Sequence, residues 1–135
     1  VGDGDDNDSL TGVWHGQYSY PSAAIAPVAF VATLIDSAGA LSGSTHETAE
    51  MITGGKETLY GAIEGKRSGR TVRFVKTYIP ADEAWGDILY EGTLSPGGDE
   101  IEGEWVILDH LSGRFLMIRQ RGAAQTAEKA ERATA

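Results

Sequence analysis

Lys76 and Tyr78 are two positions apart, so in an extended chain both side chains lie on the same side. If that side faces inward, the ammonium is costly unless it is paired or used. Used, the two form a hook for a carboxylate or phenolate, or a polar catalytic pair. Paired, Lys76 snorkels to water or meets an inward Glu47. Asp109-His110 is a second candidate, since a His beside a carboxylate can move protons near neutral pH. Tyr78, His110 and Glu47 are therefore the catalytic candidates. The chain has 3 His (His15, His46 and His110), and a metal triad would need them together. His15 belongs to the opposite side of its strand, so no metal site is expected. Asp3-x-Asp5-x-Asn7 starts like a calcium loop but has Asp8 at the turn glycine and Trp14 at the bidentate Glu. Ser112 lacks a Gly-x-Ser-x-Gly elbow, and Gly54-Gly55-Lys56 lacks the spacing of a phosphate loop.

Positioning these groups requires a framework. Eight strand-like runs are bounded by turn residues: 10–20, 28–36, 40–47, 57–66, 71–79, 87–94, 100–107 and 114–120. Ser37-Ala38-Gly39, Arg67-Ser68-Gly69-Arg70 and Ser95-Pro96-Gly97-Gly98-Asp99 are short, glycine-bearing connections of the kind tight hairpins use. The other four connections are longer and contain Ile25, Met51, Ile52, Trp85, Leu108 and Leu111. In an up-and-down sheet alternate connections lie at opposite ends, so one end is tight and the other carries variable loops. The expected fold is all-β: an eight-stranded antiparallel up-and-down barrel over 10–121 with its mouth at the loop end.

Alternation assigns the faces. Leu41, Ile63, Val72, Phe74, Ile88, Tyr90, Ile101 and Trp105 share the inward set, whereas Glu64, Lys66, Arg73, Glu102 and Glu104 share the outward one. Gly16, Gly43, Gly61, Gly65, Gly92 and Gly103 fall on the inward set, where glycine lets strands bend for closure and leaves volume unfilled. Trp14 then plugs the floor. Tyr18, Phe30, Phe74, Lys76, Tyr78, Tyr90, Trp105 and Met117 are the expected ligand-lining residues, with Tyr20, Trp85 and His110 at the mouth. The same side chains could instead fill the barrel, because eight strands enclose a space that side chains just fill. The second and last strands are apolar on both faces, so Val31, Ile35, Leu116 and Ile118 are expected to form one exposed patch with the first strand, suited to a homodimer contact or to cover by the Ala-rich tail.

Net charge is −9, and Asp3, Asp5, Asp6 and Asp8 account for four of those charges. An acidic domain of this kind argues against nucleic acid as a partner. Residues 1–9 are expected to be a disordered acidic tail, and 122–135 a short Ala-rich tail, helical or disordered. No apolar run spans a membrane and no charged-then-apolar leader is visible, which favours the cytoplasm while leaving the compartment open. The chain has 0 Cys, which removes disulfides and thiolate metal sites.

Gly12-Val13-Trp14 on the first strand, with Arg119 on the last, resembles the calycin group: lipocalins, fatty-acid-binding proteins and avidins. In that group a first-strand Trp closes the floor and a basic residue of the last strand packs over it, so the resemblance implies that Trp14 and Arg119 form the structural floor. Gly12-x-Trp14-x-Gly16 with Tyr20-Pro21 is also similar to nitrobindin-type haem barrels. No His follows His110, so the late haem ligand of those proteins is absent unless His110 serves, and no cofactor is expected. The resemblance implies a barrel for an apolar ligand. The expected function is binding of a small, largely apolar molecule in the lumen, its polar end anchored near the mouth. The alternatives are a barrel-type cyclase or isomerase that shapes a reactive substrate, and a protein-interaction module with a filled lumen.

Overall fold

The computed structural model describes residues 9–50, 54–80, 86–107 and 111–121, with the side chains of 49 and 50 excepted. Eight strands form: β1 (Gly12–Ser19), β2 (Val28–Ser37), β3 (Ala40–Glu50), β4 (Lys56–Ser68), β5 (Thr71–Ile79), β6 (Ile88–Leu94), β7 (Glu100–Ile107) and β8 (Leu111–Arg119). Each pairs antiparallel with its neighbours in sequence, and β1 pairs with β8 to close the barrel. Closure leaves no free sheet edge. Residues 1–8 and 122–135, and with them Met51, Ile52, Trp85, Leu108, Asp109 and His110, lie outside the described residues.

The tight end is set by turn chemistry. Ser37 pairs with Ala40, so β2 and β3 are joined by two residues, Ala38 and Gly39, with φ of 53° and 95°. Positive φ at both positions is the hairpin turn whose twist matches the strands. Loop length sorts the two ends only in part: residues 95–99 join β6 to β7 at the tight end, whereas β8 starts at Leu111, so only 108–110 join β7 to β8 at the mouth, where the sequence indicates a longer connection.

Strand β1 begins later than alternation predicts. Leu10 continues the period of Trp14 and Tyr18 and so reads as strand, but Gly12 has φ of 142° and breaks it there. The chain instead passes beneath the floor. Leu10 is 0% exposed, and its carbonyl accepts a hydrogen bond from Trp14 Nε1 at 2.9 Å. Its N–H donates to Asp36 Oδ2 at 3.0 Å. Arg67 Nε donates to the same oxygen at 2.8 Å, and the Gly39 N–H donates to Asp36 Oδ1 at 2.8 Å. On the other side the Arg119 guanidinium lies 4.6 Å from the Trp14 ring centre and donates to the Ser9 and Gly98 carbonyls. Trp14 is thus held between Leu10 and Arg119.

Above the floor the lower barrel is solid. Leu34, Leu41, Val72, Phe74, Leu94, Ile101, Phe115 and Met117 are all buried around Trp14. The inward glycines do not leave empty space there. A Cβ on Gly16 would lie 2.2 Å from the Phe30 ring, and one on Gly92 would lie 2.8 Å from the Phe115 ring. At Gly113 the occupant is the Trp105 indole, 2.6 Å away. Rings take up the volume at Gly16 and Gly92, and backbone of the neighbouring strand lies against Gly43, Gly65 and Gly103, so the expectation that inward glycine leaves volume unfilled is corrected.

The outer face of β1, β2 and β8 is not one exposed patch. Ile35 is 56% exposed but Ile118 only 3%, and Val31 and Leu116 are half-buried. The expected shared apolar surface is interrupted at Ile118.

Candidate functional site

The mouth half differs from the floor half. A cavity of about 560 Å³ opens there, within the range of small-molecule sites. Val28, Leu59 and Ile88 supply apolar wall, and Tyr18, Tyr20, Tyr78, Tyr90 and Trp105 supply rings. Ala26 and Pro27, from the connection between β1 and β2, and Thr48 of β3 border the opening.

Register explains the convergence. Tyr18 pairs with Val28 and with Phe115, and Tyr90 pairs with Phe74 and Trp105. One wall is an edge-to-face cluster: the Tyr20 and Trp105 ring centres are 5.3 Å apart at 79°, and those of Tyr18 and Trp105 are 6.1 Å apart at 76°. Trp105 Nε1 donates to the Ser19 carbonyl at 3.0 Å, which fixes the indole and satisfies its only donor. Next to Trp105, on β6, Tyr90 stacks on Phe74 of β5, with ring centres 4.9 Å apart and planes 10° apart.

At the base of the cavity sits a buried polar cluster. Glu47, 4% exposed, accepts from Lys76 Nζ at 3.2 Å and from the Tyr78 hydroxyl at 3.0 Å, both on Oε1. Its Oε2 accepts from the Tyr18 hydroxyl at 2.5 Å. Lys76 is 1% exposed, and its Nζ lies 4.8 to 5.8 Å from the ring centres of Tyr78, Tyr18, Tyr90 and Phe30. A cation over ring faces is attracted by their quadrupoles, which offsets part of its lost hydration. Burial holds the Lys76 amine below the usual lysine range, and the Glu47 charge opposes that effect. Burial also pushes the Tyr18 and Tyr78 phenols far above the usual tyrosine range, and adjacent Glu47 adds to both shifts. The Thr45 hydroxyl is buried without a partner, and it packs over Gly61 beside the Lys76 stem.

Of the residues singled out in the sequence, Tyr18, Tyr20, Tyr78, Tyr90, Trp105 and Glu47 meet at this cavity. Phe74 and Met117 lie in the packed half, and Phe30 covers Gly16. Lys76 is not among the lining residues and is paired with Glu47, the second of the two alternatives the sequence leaves open. Trp85 and His110 lie outside the described residues. Sequence reasoning did not find that Tyr18 bonds Glu47, because the two are brought together only by closure through β2. Leu59 and Ile88 also line the cavity, and nothing in a lone aliphatic residue of a strand distinguishes lining from core. Among the described residues no group of three metal-ligating side chains gathers, and no helix is long and apolar enough to cross a membrane.

The fold and the cavity define an eight-stranded closed antiparallel β-barrel with a pocket at its mouth. No family model matches the chain, and no curated protein does. A solved structure of a de novo designed fluorescence-activating β-barrel is similar in fold, with a TM-score of 0.55 and 17% identity, covering 86% of this chain and 98% of that one.

Proposed function

We propose that the protein binds a small, largely apolar molecule in the mouth half of the lumen, its polar end directed toward the buried cluster of tyrosines and Glu47. The observation that carries this reading is the cavity itself: about 560 Å³, walled mainly by aromatic and aliphatic side chains, above a floor that is packed solid. The designed neighbour supports the architecture alone, so the reading rests on the pocket. It treats the barrel as calycin-like, on the support of Trp14 beneath Arg119. Burying roughly 200 Å² of apolar ligand surface contributes about 5 kcal/mol before the costs of association. Ring walls favour a ring-bearing guest through edge and face contacts. Glu47 already accepts three hydrogen bonds, which favours a positioning role over turnover as a general base.

The test is titration with N-phenyl-1-naphthylamine, a neutral apolar probe whose emission rises on leaving water. The expected result is saturable enhancement in the micromolar range, lost in Leu59→Trp, which fills the cavity while leaving the lower core intact. No enhancement at any protein concentration, or undiminished enhancement in Leu59→Trp, overturns the reading.

A further inference from the structure

Most polar groups around the cavity are already engaged. The Tyr18 and Tyr78 hydroxyls donate to Glu47, and the Trp105 N–H donates to Ser19. Tyr90 is different. It is 2% exposed and lines the cavity, yet its hydroxyl has no hydrogen-bond partner among the described residues. Its ring cannot swing to find one. Phe74 stacks against one face at 4.9 Å, and Phe115 meets it edge-on at 5.0 Å. A pinned phenol that lines the cavity, with no partner in the protein, can find one only in whatever fills the cavity.

We propose that Tyr90 is the polar anchor of the pocket, and that its ligand is a neutral, ring-bearing molecule whose inner end is a hydrogen-bond acceptor such as a ketone or amide carbonyl. This rests on the reading of the mouth half as a ligand site. The acceptor follows from the donor: a phenol hydroxyl gives its proton more readily than it accepts one. A donor-only end would find the Glu47 oxygens and the Ser19 carbonyl engaged. Neutrality follows from the charges. Glu47 and Lys76 compensate each other at 3.2 Å, so an added carboxylate would face Glu47 with its counter-charge already used. An added ammonium would meet a carboxylate already holding three donors. Tyr20 also lacks a hydrogen-bond partner among the described residues, but it is only half-buried at the rim, where water serves it.

The test compares three probes of one shape by calorimetry: 2-acetylnaphthalene, 2-isopropylnaphthalene and 2-naphthoate. The expected order is acetyl tightest by about three- to tenfold over isopropyl, the worth of one net hydrogen bond, with naphthoate weakest. Tyr90→Phe should erase the acetyl preference, so that acetyl and isopropyl probes bind alike, while a circular dichroism spectrum that matches the natural protein's shows that the variant is folded. Tyr20→Phe should keep the preference. The carbonyl stretch of bound 2-acetylnaphthalene should shift to lower frequency in the natural protein and return in Tyr90→Phe. A preference that survives Tyr90→Phe, or tightest binding of naphthoate, overturns the anchor while leaving the cavity reading in place. If none of the three binds, the cavity reading falls and the anchor with it.

Discussion

Glu47 and Lys76, 29 positions apart in sequence, meet inside the lumen as an ion pair of 3.2 Å with almost no solvent on either side chain. The pair orients Tyr18 and Tyr78 by giving both hydroxyls one acceptor. It also fixes how the barrel responds to mutation. Burying two charges costs desolvation, which attraction and hydrogen bonds repay only while both partners are present.

Removing one partner should therefore be worse than removing both. Glu47→Ala or Lys76→Ala is expected to lower stability by roughly 3–5 kcal/mol, because an unpaired buried charge remains. Glu47→Leu combined with Lys76→Met should recover only part of that loss, since the apolar pair needs no partner but leaves the Tyr18 and Tyr78 hydroxyls without their acceptor. Urea denaturation of the two single variants and the double variant measures this. A double variant whose loss equals the sum of the singles would show that the two side chains act independently.

The floor is held by a second carboxylate. Burial alone would raise the Asp36 carboxyl, but the hydrogen bonds from the Leu10 N–H, Arg67 and the Gly39 N–H outweigh it and hold it below the usual carboxylate range. Because the folded value lies below the unfolded one, Asp36 contributes its full stability above the ordinary carboxyl range, about pH 4. That contribution is lost as pH falls through the lower folded value. Asp36→Asn should cost about 2–4 kcal/mol at neutral pH and flatten the acid limb of the stability profile. Thermal melts at pH 7 and pH 3 check both, and an unchanged acid limb would remove Asp36 from the account.

Three phenols lie inside. Burial raises Tyr18, Tyr78 and Tyr90 above the usual tyrosine range, so their neutral forms belong to the folded state. Stability is then fully present below about pH 10 and declines as the pH rises beyond it. Absorbance at 295 nm in folded protein at pH 11 should report at most two of the 5 tyrosines as phenolate. The remainder should appear together, in step with loss of the folded circular dichroism signal. Smooth titration of all five without unfolding would mean that the cluster is open to water.

Much of this was legible because period-two alternation is a strong signal wherever one face is wet. Glu64, Lys66 and Arg73 mark the outside of β4 and β5, and Ile63, Val72 and Phe74 the inside. The floor contact between Trp14 and Arg119 is what the calycin resemblance implies once the last strand lies beside the first. What stayed hidden depends on volume and closure. A glycine says that space is available but not which ring takes it, so Gly16 beneath Phe30 reads like a void. Leu10 fits the inward period and leaves the strand only because Gly12 adopts φ of 142°. Ile118 lies on the outward alternation yet is nearly fully buried, which no periodicity within β8 could show.

The turn between β2 and β3 joins local sequence to global stability in a form that can be tested with opposite signs. Ala38 holds φ of 53°, a conformation that costs an L-residue with a Cβ roughly 1–2 kcal/mol. Asparagine tolerates it better, and an Asn-Gly pair is the preferred sequence for a two-residue hairpin. Ala38→Asn should therefore raise stability by about 0.5–1 kcal/mol with no change in the cavity. Gly39, at φ of 95°, is already the suited residue, and a Cβ there would lie 2.8 Å from the Arg67 carbonyl. The Arg67 N–H also donates to the Gly39 carbonyl at 2.7 Å, and the Gly39 N–H to Asp36, so the segment has little room to move away. Gly39→Ala should lower stability by roughly 1–3 kcal/mol and weaken the Asp36 tether with it. Paired thermal melts of the two variants decide the matter: the same sign for both would mean that turn geometry is not what limits this end of the barrel.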